Sequence, residues 1–494
     1  MPVQASRSKL LIRADSCKNL SDAFLDTTGA GIGECYTMRA HFMGKRRRPW
    51  IVGISAFVIA VCGLRLLLGY LFGGTEDQAG YLRLWRTIEQ HGNLYVATRI
   101  QVWPPLWWIL LGLWASLWRG LGTLAPGLTQ FLGPSYAIKL LYYASEVSLA
   151  FVLGIHLARV RARGAPFSHG EIWHYAGFFL LLPATWVITS LHGNFDAIPA
   201  FLVIAAFLLL EYKNSETSAL LAALCVGFAA MARTFPGVFA FPIVALILRR
   251  HGWKSSLFAA FLAFAPSFLS LYPIYLMTPD AVMQALGYRG IEGAWWGFAA
   301  IARIVISDAM GLTLFRVSYP VFYTALVLLV VGLCWGLLKG RIGSLQAGVL
   351  LTLGLFIFAP TISNQNFYFL LPWATWYAFA HGQRPAKVFL VAVSVNLFLV
   401  YVVLPLNLTN PIWFQWTYDQ VGAGHVAPIP SPRFLVRFLD WFASVFKRRE
   451  LGFAPFIHLM LRMPVWGVMI WWFVSSLRDV FPNRPIAAVR VATP

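Results

Sequence analysis

The feature that most constrains this chain is a series of uninterrupted apolar runs that recurs along most of its length. Each run has about 18 to 22 residues, enough for an α-helix to cross a bilayer, and lacks the alternation of membrane β-strands. The mean hydropathy is +0.67 and only 12% of the residues are charged, which would be unusual for a soluble chain of 494 residues. We therefore predict an all-α, polytopic membrane protein with about 12 transmembrane helices.

The positive charge of the chain is informative because of where it lies. A net charge of +20 would suggest a nucleic-acid partner for a soluble protein. Here the basic residues cluster in short connections between apolar runs, as at 45–48, 159–163 and 249–254, which is typical of cytoplasmic loops. The charge therefore orients the spans, and no nucleic-acid partner is predicted. Residues 1–48 precede the first apolar run and are predicted to be a disordered, basic cytosolic tail.

The same charge rule divides the remainder of the chain. It predicts a transmembrane module over 49–405, with two long extracytoplasmic loops at about 73–135 and 278–318. A C-terminal part, 406–494, holds a loop and the last span or spans. In the first outer loop the tryptophan-rich run at 103–118 is predicted to be an interfacial or re-entrant helix. Counting this run as a span would place the next basic cluster outside.

Polar residues gather at the predicted outer ends of the spans. The stretch SLHGNFDAIPAF places His192, Asn194 and Asp196 between two runs that are predicted to span at 171–190 and 197–212. Two explanations fit polar residues at helix ends. Burying them within the bilayer is costly, so they collect at the ends, or they gather there to form a site. Other candidates at outer ends are Glu76, Asp77, Arg233, Gln365 and Tyr368.

Each candidate also has a structural interpretation. The acids of the first loop could cap an interfacial helix, and Asn194 or Asp196 could cap the following span. Arg233 could simply extend its guanidinium toward the interface, and the polar residues at 365–368 could cap and anchor the span that follows them. Glu146 lies inside a predicted span, so we expect it to face the bundle and pair with a polar neighbour; a role in transport would also explain it.

Four pieces of the chain together resemble the GT-C superfamily of integral-membrane glycosyltransferases, which take a sugar from a polyprenyl-phosphate donor on the outer or lumenal face. They are Asp77 just after the first span, a Y…PP stretch at 95–105, HGNFDAIP at 192–199 and SNQNFYFLLPW at 363–373. The third piece is similar to segments of the lipid-linked glucosyltransferases and their bacterial relatives. The fourth resembles a segment of the mannosyltransferases related to those that build GPI anchors.

The sequence departs from the family pattern at three places. The family segment usually has glutamine where Asn194 stands, and Gln-Tyr where this chain has Gln365 and Asn366. Many bacterial relatives have a lysine-proline pair where this chain has ARTFPG, so Arg233 would supply that charge.

The resemblance implies transfer of a hexose, mannose or glucose, to a lipid-linked or glycan acceptor. A departing phosphate monoester needs no proton, so the enzyme needs one base for the acceptor hydroxyl and positive charge for the phosphate. Direct displacement by the acceptor would invert the anomeric carbon. Asp77 is the predicted base, and Arg233, Arg289 or Arg303 the predicted phosphate ligands. The further predicted substrate contacts are Glu76, His192, Asn194, Asp196, Gln365 and Tyr368.

No cofactor is predicted. A divalent metal at Glu76 and Asp77 is the alternative, but adjacent carboxylates point to different sides of a helix and make a poor chelate. Nucleotide-binding motifs are missing from the sequence. The expected location is a bacterial inner membrane, with the site on the extracytoplasmic face. The main alternative is a transporter or flippase of lipid-linked sugars, although transporters tend to have matching halves and sites near mid-membrane. A structural membrane subunit is the third class.

Overall fold

A computed structural model gives the fold of the protein. The structure describes residues 52–74, 76–91, 105–162, 167–280, 282–283, 308–359, 364–400, 413–414 and 453–480. The chain divides into two units, Met1–Ile59 and Ala60–Pro494, and the candidate site lies within the second. The predictions for the tail 1–48 and for Arg289 and Arg303 fall outside the described residues.

The described part of the chain is predominantly helical. The first helices are α1 Val52–Leu71, α2 Glu76–His91, α3 Pro105–Leu124, α4 Pro126–Ala162, α5 His169–Leu181, α6 Ala197–Tyr212 and α7 Glu216–Ala232. They are followed by α8 Ala240–His251, α9 Trp253–Met277, α10 Asp308–Leu338, α11 Ser344–Phe358, α12 Leu370–Ala380, α13 Arg384–Phe398 and α14 Phe453–Val480. The helical character of the predicted fold class is thus confirmed.

Several short elements interrupt the α-helices. They are a helical turn Pro183–Thr185, a π-helix Trp186–His192, and 3-10 helices Phe235–Phe239 and Asn364–Phe369. Two short strands, β1 Phe72–Gly74 and β2 Trp413–Phe414, pair in an antiparallel arrangement. Most of the predicted site residues lie in or beside these irregular elements, where backbone groups are not all used by a regular helix.

Four helices in the described part are long and apolar enough to cross a membrane. They are α1, α4, the Trp253–Leu276 part of α9 and the Pro320–Leu338 part of α10. A fifth span results if α5 and Pro183–His192, which are bent by 57°, count together. Three further apolar helices, α6, α7 and α11, have only 16, 17 and 15 residues. The predicted number of about 12 spans is therefore not confirmed.

The surface of α9 and α10 is suited to lipid. Only 17% of the apolar window of α9 and 11% of that of α10 is buried. Large apolar side chains such as Leu257, Phe261 and Leu328 are more than half exposed. Such a surface is stable against hydrocarbon rather than water, as expected for a membrane protein.

The two ends of the helical bundle differ in charge. At one end Arg249 Nη1 donates to the carbonyl of Leu337 at 3.0 Å, and Arg250 Nη1 donates to that of Leu210 at 2.5 Å. The residue after Leu210, Glu211, accepts a hydrogen bond from a serine at the start of α11 at 2.6 Å. The start of α6 and the end of α7 lie at the opposite end, and there the predicted site residues meet.

Candidate active site

A glycine turn begins the site. The π-helix Trp186–His192 ends at Gly193, which has φ 74° and ψ 58°. A Cβ at this position would lie 2.9 Å from Gln78 Oε1 and 3.2 Å from Lys139 Cε. The left-handed backbone and the close packing both require glycine here. The turn thereby directs the following residues across the end of the bundle toward α6.

The structure tests the capping interpretation of Asp196. Asn194 Oδ1 accepts the backbone N–H of Asp196 at 3.1 Å. Asp196 occupies the N-cap position of α6 but makes no side-chain capping hydrogen bond. Its side chain is fully buried and pairs with Arg233. The interpretation of the Asp196 carboxylate as a helix cap is therefore wrong, because the carboxylate serves a cation instead.

Arg233 is held by this carboxylate. Its Nε atom lies 2.5 Å from Asp196 Oδ1, and its side chain is 21% exposed. Arg233 follows the last turn of α7 in an extended conformation, with φ −143° and ψ 138°. Among the described residues, no side chain or carbonyl accepts a hydrogen bond from either Nη atom of Arg233. Arg233 thus does not simply extend toward the interface; it is oriented by a buried acid while the outer part of its guanidinium stays available.

A stack of planar groups supports the arginine. The Arg233 Cζ atom lies 5.0 Å from the centroid of the Phe195 ring. The Phe195 ring in turn stacks on Trp107, with centroids 4.7 Å apart and an interplanar angle of 6°. Tyr81 packs edge-on against both rings, at 5.2 Å from Trp107 and 5.6 Å from Phe195. The stack therefore joins α2, α3 and the loop before α6 to Arg233.

The first turn of α2 lies against the same glycine turn. Glu76 and Asp77 are the first two residues of α2, directly before Gln78. Gln78 is fully buried, and its Nε2 donates to the Ser135 carbonyl at 2.9 Å. Its Oε1 accepts the Tyr142 hydroxyl at 3.4 Å. The backbone of Asp77 is thus placed beside the loop that carries Asp196. A helix also begins at Glu76 and Asp77, as the capping interpretation of these acids requires.

Two buried cations were not among the predicted site residues. Lys139 is fully buried, and its Nζ donates to the Ser190 carbonyl at 2.9 Å and the Gly69 carbonyl at 3.3 Å. Arg65 is also buried and pairs with Glu146, which confirms the expectation that Glu146 has a polar partner. The signal that could have revealed both is a lone cation within an apolar run, because such a residue is costly unless it is partnered.

The SNQNFYF piece lies against the Arg233 segment. Gln365 belongs to the 3-10 helix Asn364–Phe369, and Phe369 packs against Phe235 with centroids 4.5 Å apart. Tyr368 is fully buried, so it does not anchor its helix at an exposed interface. Its hydroxyl faces the Glu146 carboxylate and lies within electrostatic reach of Asp196. This segment therefore packs against the residues that follow Arg233 and lies near Asp196.

The predicted residues of the HGNFD loop are more buried than side chains that bind a substrate from an open site would be. His192, Asn194 and Asp196 are 1%, 0% and 0% exposed. In this conformation they build the loop and orient Arg233. Arg233 is the predicted site residue whose side chain is both described and partly exposed.

The comparison with known families agrees with this arrangement. The model of glycosyltransferase family 87 matches residues 122–284, which contain α4 to α9, the HGNFD loop and Arg233. No curated protein matches the chain. Family 87 is a GT-C-type family of membrane glycosyltransferases, so the resemblance drawn from the motifs is confirmed. Over residues 122–284, the segment that contains the Asp196–Arg233 pair, the chain is therefore similar to the GT-C-type membrane glycosyltransferases of family 87.

Proposed function

We propose that the protein transfers a hexose, mannose or glucose, from a polyprenyl-phosphate donor to a lipid-linked or glycan acceptor. The observation that carries this proposal is the position of the Arg233 guanidinium. Buried Asp196 holds its Nε atom, and the guanidinium lies over the Phe195 ring. A guanidinium held in this way can bind two phosphate oxygens at once and stays charged near lipid. It would stabilise the negative charge that develops as the phosphate leaves.

The chemistry needs one base and one cation. The acceptor hydroxyl oxygen attacks the anomeric carbon while the bond from this carbon to the phosphate oxygen breaks. The electron pair of that bond remains on the phosphate, next to Arg233, and the hydroxyl proton passes to the Asp77 carboxylate. The placement of Asp77 before Gln78, beside the glycine turn, supports this assignment. Attack opposite the leaving group inverts the anomeric carbon. No step calls for a cofactor, and metal independence remains a prediction.

The charge distribution supports an extracytoplasmic site. The basic helix ends around Arg249 and Arg250 lie at the end of the bundle opposite to the Asp196–Arg233 pair. Basic ends face the cytoplasm in membrane proteins. The site would then face outward, where lipid-linked sugar donors and glycan acceptors can meet. A bacterial inner membrane is the membrane that we propose.

An apolar cleft on α11, the helix whose end packs against the segment after Arg233, supports a lipid-linked donor. A cavity of about 380 Å³ lies between α10, α11 and α14 and is lined by apolar side chains that include Ala325, Phe358 and Phe473. Two residues before Phe358, the Phe356 ring lies 6.3 Å from that of Phe235, in the segment that follows Arg233. A cleft of this kind could take part of a polyprenyl chain while the phosphate reaches Arg233.

The test is transfer of radiolabelled sugar from a panel of polyprenyl phosphates. Membrane vesicles that carry the protein, and that supply the lipid-linked or glycan acceptor, are given mannosyl and glucosyl phosphates with either long or short prenyl chains. We expect label to enter a new glycosidic product with one of the two sugars. Movement of labelled lipid across the membrane without a new product would favour the flippase. If no donor gives up its labelled sugar to a product, the proposed transfer is overturned.

A bulky side chain in the cleft should discriminate between donor chain lengths. Ala325→Trp is expected to raise the KM of the long-chain donor about tenfold, since burial of one or two CH₂ groups contributes roughly 0.8 kcal/mol each. The KM of the short-chain donor should stay unchanged. Leu328→Trp on the same helix faces outward and is the matched control. An equal effect of both variants on both donors would exclude the cleft as the chain site.

A further inference from the structure

A buried ion pair lies beneath the site and takes no part in the transfer chemistry described above. Arg65 of α1 and Glu146 of α4 bond through Arg65 Nη2 and Glu146 Oε2, with side-chain exposures of 3% and 1%. Arg65 Nη1 also donates to the Leu180 carbonyl at 3.0 Å. Burying two charges is so costly that apolar residues of similar size often give equal or greater stability. Stability alone is therefore a weak explanation for this pair.

The pair contacts the π-helix that leads into the active-site loop. Arg65 Nη2 donates to Thr189 Oγ1 at 2.7 Å, and this hydroxyl lies 2.8 Å from Glu146 Oε2. Thr189 is fully buried and sits in the middle of Trp186–His192. A π-helix is rare and often marks a functional segment, so it needs tertiary contacts to hold it. The contacts at Thr189 provide them.

The position of this π-helix sets the position of Arg233. The carbonyl of Ile188, next to Thr189, accepts the backbone N–H of Asn194 at 3.2 Å. Asn194 then fixes the backbone of Asp196, whose carboxylate holds Arg233. A chain of direct contacts thus runs from the buried pair to the phosphate ligand that we propose.

The same carboxylate faces a second segment of the site. The Tyr368 hydroxyl lies near the Glu146 carboxylate. Among the described residues, it makes no hydrogen bond of normal geometry. Within the same described part of the chain, Glu146 Oε1 likewise accepts no hydrogen bond of normal geometry. Glu146 therefore lies between the π-helix and the Asn364–Phe369 helix, and Arg65 joins both to α1. The pair is a junction of the elements that surround Asp196 and Arg233.

We propose that the Arg65–Glu146 pair is a positioning device for sugar transfer. It fixes the π-helix through Thr189 and thereby aims Arg233, without touching the substrate itself. This inference rests on the proposed function, because its consequence is measured as transfer. It also predicts an effect on the backbone that can be measured without any donor.

The main test removes both charges together. The double variant Arg65→Met/Glu146→Leu leaves no isolated buried charge, so the protein should fold with a Tm close to that of the wild type. We expect kcat to fall by about 100-fold, because a displacement of about 1 Å at a reacting group costs that much. The donor KM should change by much less. Amide hydrogen exchange in 186–196 should rise, whereas exchange at the basic end of α8, around Arg249 and Arg250, should not.

A single hydroxyl gives the matched comparison. Thr189→Val removes the bonds to Arg65 and Glu146, together with a local bond to the Thr185 carbonyl at 2.7 Å, while keeping the side-chain shape, and Thr189→Ser keeps the hydroxyl. Thr185→Val is the control, since Thr185 is equally buried but bonds carbonyls of its own segment, with Leu182 at 2.8 Å. We expect Thr189→Val to lower kcat, Thr189→Ser to restore it, and Thr185→Val to behave as the wild type.

The outcomes separate this inference from the proposed function. Wild-type kcat and unchanged exchange at 186–196 in the double variant would overturn the positioning role, even if transfer by the wild type is established. Equal losses in Thr189→Val and Thr185→Val would overturn it as well. If the wild type transfers no sugar, the proposed function fails, and hydrogen exchange at 186–196 in the double variant still tests whether the pair holds the π-helix.

Discussion

Asp77→Asn is expected to lower kcat by about 10²- to 10⁴-fold, because asparagine keeps the size of the side chain but cannot accept the acceptor's proton. The donor KM should change little, since the base acts on the acceptor hydroxyl as the bond forms. The measurement is single-turnover transfer from the donor identified with the panel, at equal expression of both proteins. Donor binding that persists in the variant would locate the loss in the chemical step.

The control for Asp77 is another acid at the start of a helix. Glu171 lies in the first turn of α5, where it forms a capping box with Ser168. Glu171→Gln keeps that capping interaction and should transfer sugar at the wild-type rate, since glutamine also serves in capping boxes. Equal activity of Asp77→Asn and the wild type would remove Asp77 from the mechanism, and equal losses in both variants would point to a general effect of charge.

Arg233→Met should lower kcat/KM for the donor by about 10²- to 10³-fold, the usual effect of removing one electrostatic stabiliser from a transition state. Arg233→Lys keeps the charge but not the planar fork, so it should recover only part of that loss. Arg249→Met, at the basic end of the bundle, is the control arginine and should leave kcat/KM unchanged. The readout is the initial rate over a range of donor concentrations.

The role of Asp196 follows from a double-mutant comparison. If Asp196 acts by holding Arg233, Asp196→Asn should cause a loss of its own but add little in the background of Arg233→Met. Losses that simply multiply would instead show that Asp196 contacts the sugar independently, as a clamp. The cycle thus tests whether the buried carboxylate is a positioning group or a substrate ligand.

Local sequence patterns predicted the helices of the central segment well. The predicted span 197–212 is α6, Ala197–Tyr212, and the predicted span 171–190 corresponds to α5 and its bent continuation Pro183–His192. Apolar length, turn residues and capping residues are encoded within each segment, so they can be identified without the rest of the chain. The number of spans was harder to predict, because several apolar helices are too short to cross a membrane by themselves.

The candidate site was predicted in part for the same reason. The irregular HGNFD loop and Arg233 stood out as polar interruptions at helix ends, and the structure brings them into contact. Whether Asp196 caps its helix or holds Arg233 could not be decided from the sequence, since both roles place an aspartate at the start of a helix. Arg65 and Lys139 were overlooked because each is a single residue within an otherwise ordinary apolar run.

The sequence by itself determined that the protein is helical, that it is suited to a membrane, and that its polar groups gather at helix ends. The hydropathy of each run and the placement of basic residues carry that information locally. Only the tertiary structure decided which of these groups meet. Arg65 and Glu146 lie 81 positions apart, and their contact depends on the rotation and crossing of two helices. That geometry arises from the packing of the whole bundle, so no single segment contains it.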